Sequence, residues 1–137
     1  MKVSFILGSE SDREFAQHGI AKLAQAGVDY EVVIHSAHRD LPGLLNYLKS
    51  MEGVEVIIAV AGMSAALPGI VAANVDIPVI GVPRNVGPLQ GIDALISMVQ
   101  MPKGVPVATM GIGEAGMINA AELALRILKL NEKRGGI

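Results

Sequence analysis

Short apolar, β-branched runs alternate along this chain with longer segments in which apolar residues recur at helical spacing. Residues 3–7 read as a first strand, followed by a helix over about 13–26 with Ala16, Ile20, Leu23 and Ala24 as its stripe and Gly27 as its stop. Residues 30–34 form the second strand and about 41–51 the second helix, ended by Gly53. Residues 54–59 are apolar except for Glu55, the pattern of a strand covered on both faces. A helix of small residues over about 66–74 follows the turn at Gly62. The fourth strand is expected at 78–82, a proline- and glycine-marked loop at 83–91, and a helix at about 92–101. After the turn Pro102-Lys103-Gly104, a fifth strand is expected at 105–110 and a last helix over about 114–133. The chain then closes on a polar, frayed tail, Arg134-Gly135-Gly136-Ile137.

Five β–α units of this length predict a three-layer α/β/α fold with a five-stranded parallel sheet, in the flavodoxin-like order 2-1-3-4-5. One domain over residues 1–137 accommodates them, and no repeat or linker divides the chain. Residues 56–75 carry no charge over nearly a membrane-spanning length, but Gly62, Pro68 and Gly69 interrupt them and Glu55 and Asp76 flank them. They read as strand, turn and buried helix. No secretory signal is expected, because Met1-Lys2 leads straight into the first strand.

Composition narrows the function classes. With no cysteine, disulfides and thiolate metal sites are ruled out, and a cytoplasmic setting is compatible. A net charge of −2 and 3% aromatic residues argue against a nucleic-acid track. The chain is 51% hydrophobic and 18% charged, against about 25% charged for an ordinary soluble domain. Burial of helix faces in a homo-oligomer would relieve that imbalance, and Met98, Met101, Met110 and Met117 near the last helices hint at such an interface, or at plain core filling.

The chemistry-bearing residues follow the strands. Open α/β sheets bind ligands at the carboxyl ends of their strands, where this chain places Gly8-Ser9-Glu10-Ser11-Asp12 and Ser36-Ala37-His38-Arg39. The first segment reads either as a phosphate-binding turn with free N–H groups at a helix start or as a plain capping turn with Ser11 or Asp12 as N-cap. In the ligand-binding reading, Ser9 and Ser11 lie nearer a phosphate and Asp12 accepts hydrogen bonds from ribose hydroxyls. The second segment sets an acid–base imidazole, His38, beside a guanidinium, Arg39, able to hold a phosphate bidentately. His35 and His18 are assigned structural or surface roles, and a His35–His38 metal pair lacks a third ligand. The loop from Ala61 to Gly69 is made of small uncharged residues that would close over a ligand. Arg84 and Asn119 are candidate polar contacts that, judged singly, read as surface or capping residues rather than catalytic ones.

Neighbouring classes fit less well. A phosphate-switched receiver needs an acceptor aspartate after the third strand, where this chain has Ala59-Val60-Ala61, and a lysine where it has Gly111. A flavin sandwich needs aromatics, of which there are two Phe, two Tyr and no Trp. Gly-Lys-Ser/Thr is missing, which excludes a Walker loop. A noncatalytic ribonucleotide-binding module stays open.

Taken in order, Gly8-Ser9-Glu10-Ser11-Asp12, Ser36-Ala37-His38-Arg39, Ala61-Gly62 with Leu67-Pro68-Gly69, Pro78-Val79-Ile80-Gly81-Val82-Pro83, the block from Gly91 to Thr109 and Asn119-Ala120-Ala121 closely resemble the catalytic-subunit family of phosphoribosylaminoimidazole carboxylase in purine biosynthesis. The resemblance covers nearly the whole chain, and residues 97–109 are its most specific part. It implies a flavodoxin-like subunit in an octamer, with active sites between subunits and no cofactor. One branch of the family moves a carboxylate from the exocyclic nitrogen of N5-carboxyaminoimidazole ribonucleotide to ring carbon 4, fed by an ATP-dependent partner synthetase. The other adds free carbon dioxide to aminoimidazole ribonucleotide. The resemblance implies His38 as the general acid–base and Ser9, Asp12 and Arg39 as nucleotide contacts, with Ser11, Ser36, Ala37, Gly62, Ser64 and Leu67 completing the substrate site. The chain departs from the mutase pattern where Ala66 replaces the family histidine, and Ser64 resembles the carboxylase branch. Arg39 and Val99-Gln100-Met101-Pro102 resemble the mutase branch, which is the expected activity.

Overall fold

The apolar runs pair as expected in the computed structural model, which describes residues 2–135. Strands β1 (Lys2–Leu7), β2 (Asp29–Ile34), β3 (Val54–Ala61), β4 (Val79–Pro83) and β5 (Ala108–Thr109) form one sheet in the order β2-β1-β3-β4-β5. All of its pairs are parallel. The helices between and after them are α1 (Arg13–Gln25), α2 (Leu41–Ser50), α3 (Leu67–Asn74), α4 (Ile92–Val99) and α5 (Glu114–Gly135). This is the α/β, flavodoxin-like order that the sequence predicts.

Alternation along the strands divides the apolar residues between two cores. Val3, Phe5 and Leu7 of β1, with Val56, Ile58 and Val60 of β3, meet Phe15, Ile20 and Leu23 of α1 and Met117, Ala121 and Leu128 of α5. Ile6, Ile57 and Ala59 point the other way, onto Leu44 and Leu48 of α2, Leu67 and Val71 of α3, and Ala94 and Met98 of α4. Both faces of the sheet are thus covered, which is why its central strands carry so few polar residues. Buried Ser4 on β1 shares the Tyr47 hydroxyl of α2 with Glu31 of β2. Burial, reinforced by Glu31, holds that phenol far above its usual range. Met98 and Met117 are fully buried in these two cores, so they fill the monomer's own interior.

Several boundaries differ from the sequence pattern. β3 runs two residues further than expected, through Val60 and Ala61, because both pair with the end of β4. The fifth strand shrinks to Ala108–Thr109. Pro106 has no N–H to give a ladder, and Val105 N–H instead closes a turn onto the Pro102 carbonyl at 3.1 Å. α4 ends at Val99, two residues short, since Pro102 disfavours helical backbone at Met101. α5 continues to Gly135; Gly136 and Ile137 of the expected tail, and Met1, lie outside the described residues. Residues 56–75 fold as the end of β3, a turn and α3, and among the described residues no helix is long and apolar enough to cross a membrane.

The start of α5 sits so close to the strand-end backbone that a Cβ on Gly116 would lie 1.7 Å from the Gly111 carbonyl oxygen. A Cβ on Gly111 would meet nothing within 4 Å. Gly116→Ala is therefore expected to destabilise by at least about 1–3 kcal/mol through overpacking against backbone, read from urea midpoints. Gly111→Ala serves as the comparison and should be nearly silent.

A candidate active site at the carboxyl edge of the sheet

The loop after β1 closes as a capped 3-10 turn, Glu10–Asp12, before α1 begins. Ser9 is its cap: its Oγ accepts the Ser11 N–H at 3.3 Å, and the Ser11 hydroxyl donates to the same oxygen at 3.0 Å. Gly8 N–H donates to Val60 O and Asp12 N–H to Ser9 O, each at 3.0 Å, and Ser9 N–H donates to Asp12 Oδ2 at 3.0 Å. These N–H groups are spent within the turn or on β3, so an open phosphate cradle is replaced by a turn that fixes the two hydroxyls and one carboxylate.

Asp12 is only 5% exposed. Its Oδ1 accepts Arg84 Nη1 at 3.0 Å, and the same nitrogen donates to Ser11 O at 3.2 Å. The guanidinium lies over the Phe15 ring of α1, 4.8 Å from its centroid. Burial, opposed by the hydrogen bond and charge of Arg84, holds the Asp12 carboxyl above its ordinary 3.8. A neighbouring cation does not outweigh desolvation here.

The turn after β2 is pinned at both ends. His35 N–H continues the pairing onto Leu7 O at 3.0 Å, and Asp40 N–H donates to Ser36 O at 2.8 Å. Asp40 then caps α2, with Oδ1 accepting Gly43 N–H at 3.2 Å and Oδ2 lying 3.0 Å from His35 Nδ1. The His35 hydrogen bond is the main reason the Asp40 carboxyl titrates below its usual value. The His35 ring also packs on Tyr47, with centroids 5.6 Å apart. His38 and Arg39 stand exposed on the outside of this turn, whose Arg39 N–H donates to Ser36 Oγ at 3.2 Å.

The third loop, residues 62–66, meets the fourth. A Cβ on Gly62 would sit 2.5 Å from Val86 Cγ2 and 3.4 Å from Arg84 Cβ, so glycine is what lets the segment after β4 close in. Ser64 is exposed, Ala66 half-buried and Leu67 buried at the start of α3.

These four loops enclose a cavity of about 430 Å³. The ten residues expected from the sequence to form the catalytic and substrate site line it: Ser9, Ser11 and Asp12; Ser36, Ala37, His38 and Arg39; and Gly62, Ser64 and Leu67. Ala66, Val86 and Arg84 line it as well. Arg84, named from the sequence as a candidate polar contact but judged singly a surface or capping residue, stands directly after β4 at the same edge and lines the cavity, where a buried carboxylate needs a cation. Asn119 is exposed on α5, outside the cavity, and His18 lies 3.5 Å from Glu114 at the surface. A larger groove of about 830 Å³ opens at the amino end of β4, but Asp76 is its sole charged lining residue and no histidine or cation faces it. The imidazole, the two guanidiniums and the buried carboxylate gather in the smaller cavity.

Comparison with known proteins places the chain in a family. A family described as AIR carboxylase matches residues 2–135. The chain is 50% identical over 134 residues to a Saccharolobus solfataricus protein named N5-carboxyaminoimidazole ribonucleotide mutase, covering 96% of this chain and 84% of that one. A Pseudomonas aeruginosa protein of the same name is 49% identical over 128 residues, covering 92% and 78%. The crystal structure of Treponema denticola PurE superposes with a TM-score of 0.84 at 31% identity, covering 94% of this chain and 80% of that chain.

Because the folded state binds the Asp12 proton more readily than the unfolded chain does, this group's contribution to stability falls as pH rises through the interval above 3.8. Asp12→Asn removes that titration. Its urea midpoint relative to the wild type is expected to be higher at neutral pH than below the ordinary carboxylate range. The opposite trend would mean that the Arg84 ion pair outweighs burial.

Proposed function

The chain belongs to the AIR carboxylase family, and we propose that it acts as an N5-carboxyaminoimidazole ribonucleotide mutase, moving the carboxylate from the exocyclic nitrogen to ring carbon 4 to give 4-carboxy-5-aminoimidazole ribonucleotide. The observation that carries this reading is one cavity that gathers His38, Arg39, Asp12 and the Ser9 and Ser11 hydroxyls in a chain about half identical to relatives bearing that name.

The residues suit the chemistry. Arg39 pairs with the phosphate, the Ser9 hydroxyl, held by the Ser11 hydroxyl that donates to it, adds a donor, and Asp12 accepts from the sugar hydroxyls. The His38 imidazole is exposed toward the cavity and hydrogen-bonds to no described side chain, so it is free to meet the base ring. Protonation of the exocyclic nitrogen by His38 lets the N–carboxylate bond break, releasing carbon dioxide and an electron-rich aminoimidazole. Carbon 4 attacks the same carbon dioxide, and the neutral imidazole then removes the proton that carbon 4 carries. The reaction is an isomerisation, so atoms and electrons balance without a co-substrate. The small-residue loop around Gly62, Ser64 and Leu67 keeps the gas beside the ring, where proximity favours recapture over escape.

We further read the protein as a cytoplasmic homo-oligomer, an octamer by family resemblance, supplied with the carbamate by an ATP-dependent synthetase. Support for association comes from α4, where Ile92, Ile96 and Val99 are each more than half exposed along one helical face, next to exposed Leu89.

Three measurements test these readings. In an ATP-free assay, product should form from N5-carboxyaminoimidazole ribonucleotide and not from aminoimidazole ribonucleotide at low bicarbonate; product from the amine that rises with dissolved carbon dioxide would make the chain a direct carboxylase instead. His38→Asn should lower kcat by at least about 100-fold while leaving nucleotide affinity within a few-fold. Light scattering of Ile96→Lys should report a smaller assembly than the wild type.

A further inference from the structure

Arg84 lines the cavity, yet the reaction outlined above gives it no step. Its Nη1 is committed to Asp12 Oδ1 at 3.0 Å and to Ser11 O at 3.2 Å, and the guanidinium rests on the Phe15 ring. The contact joins the loop after β4 to the loop after β1 across the sheet edge. It also completes the hold on the carboxylate, whose Oδ2 already accepts Ser9 N–H at 3.0 Å. Each carboxylate oxygen keeps a lone pair for a further donor.

Charge adds a second consequence. Asp12, Arg39 and Arg84 are the charged side chains among the cavity's lining residues. Asp12 lies a few residues from the hydroxyls expected near a phosphate, and an unpaired carboxylate there would repel a phosphate ester carrying nearly two negative charges. Arg84 Nε is buried without a hydrogen-bond partner among the described residues, a cost that an ion pair placed for stability alone would avoid.

We propose that Arg84 is a positioning residue for the nucleotide: it fixes the Asp12 carboxylate in one orientation toward the sugar and offsets its charge, so that the carboxylate and a phosphate ester share one cavity. This rests on the ribonucleotide reading of the site. The upward displacement of the Asp12 titration accords with a carboxylate whose ionised form depends on its partner.

Arg84→Met keeps the stem on Phe15 and removes the charge; Arg84→Lys keeps the charge and serves where the first variant folds poorly. Arg84→Met is expected to raise KM for N5-carboxyaminoimidazole ribonucleotide about ten-fold or more, since one partner of a buried charge pair is lost. Its kcat should stay within about three-fold, and Arg84→Lys should recover part of the KM. In an Asp12→Asn background, Arg84→Met should add less than about two-fold, because the two residues act as one unit. An unchanged KM in folded Arg84→Met overturns the proposal, and so does an equal penalty in both backgrounds, which would make Arg84 a direct substrate contact. A wild type without turnover would instead defeat the ribonucleotide reading. Carboxyl-carbon NMR titration of Asp12 then decides the clamp by itself: Arg84→Met must move that titration upward, and no movement overturns the proposal.

Discussion

Parallel pairing forces each strand of this sheet to send the chain back across a face before the next can begin. The carboxyl ends of β1, β2, β3 and β4 therefore collect at one edge, and whatever side chains follow them meet there. The two cores make that geometry rigid. Phe5, Ile58 and Val60 on one side and Ile6, Ile57 and Ala59 on the other leave the central strands no freedom to slip by one residue, because a slip would exchange the two faces. The cavity is thus a by-product of topology, held open by loops too short and too well tied to collapse into it.

Within the cavity, burial and hydrogen bonding are distributed unevenly. Asp12 is buried, hydrogen-bonded at both oxygens and joined to a guanidinium that is itself stacked on Phe15. His38 and Arg39 are exposed, and it is the turn beneath them, tied by Ser36, Asp40 and His35, that is ordered. A fixed acceptor beside an exposed imidazole suits the proposed reaction, in which the sugar phosphate stays still while a proton moves twice. Ala66 and Ser64, where the chain departs from the mutase pattern, line the same cavity and bring no charge to it. The cationic character of the site rests on Arg39 and Arg84.

Local periodicity carried most of the architecture. Apolar alternation and helical spacing in the sequence predict five strands, five helices and their order, and the ten residues named from the strand-end motifs all line one cavity. They do so because a residue placed just after a strand goes to the edge whatever the side-chain details. Ends of elements were less legible. The reach of β3 through Ala61 depends on the partner strand, and the shortness of β5 depends on Pro106 meeting a ladder that needs its N–H.

Which distant groups are spent on each other was decided by tertiary structure alone. The bond from Ser9 N–H to Asp12 is a local capping contact three residues long, but nothing near Asp12 in the chain shows that Arg84, 72 residues away, closes on the same carboxylate. Hydrophobic patterning is written within a few residues because it follows the period of the backbone. The partner of a buried charge has no period; it is whichever opposite charge the packed loops bring within hydrogen-bonding distance.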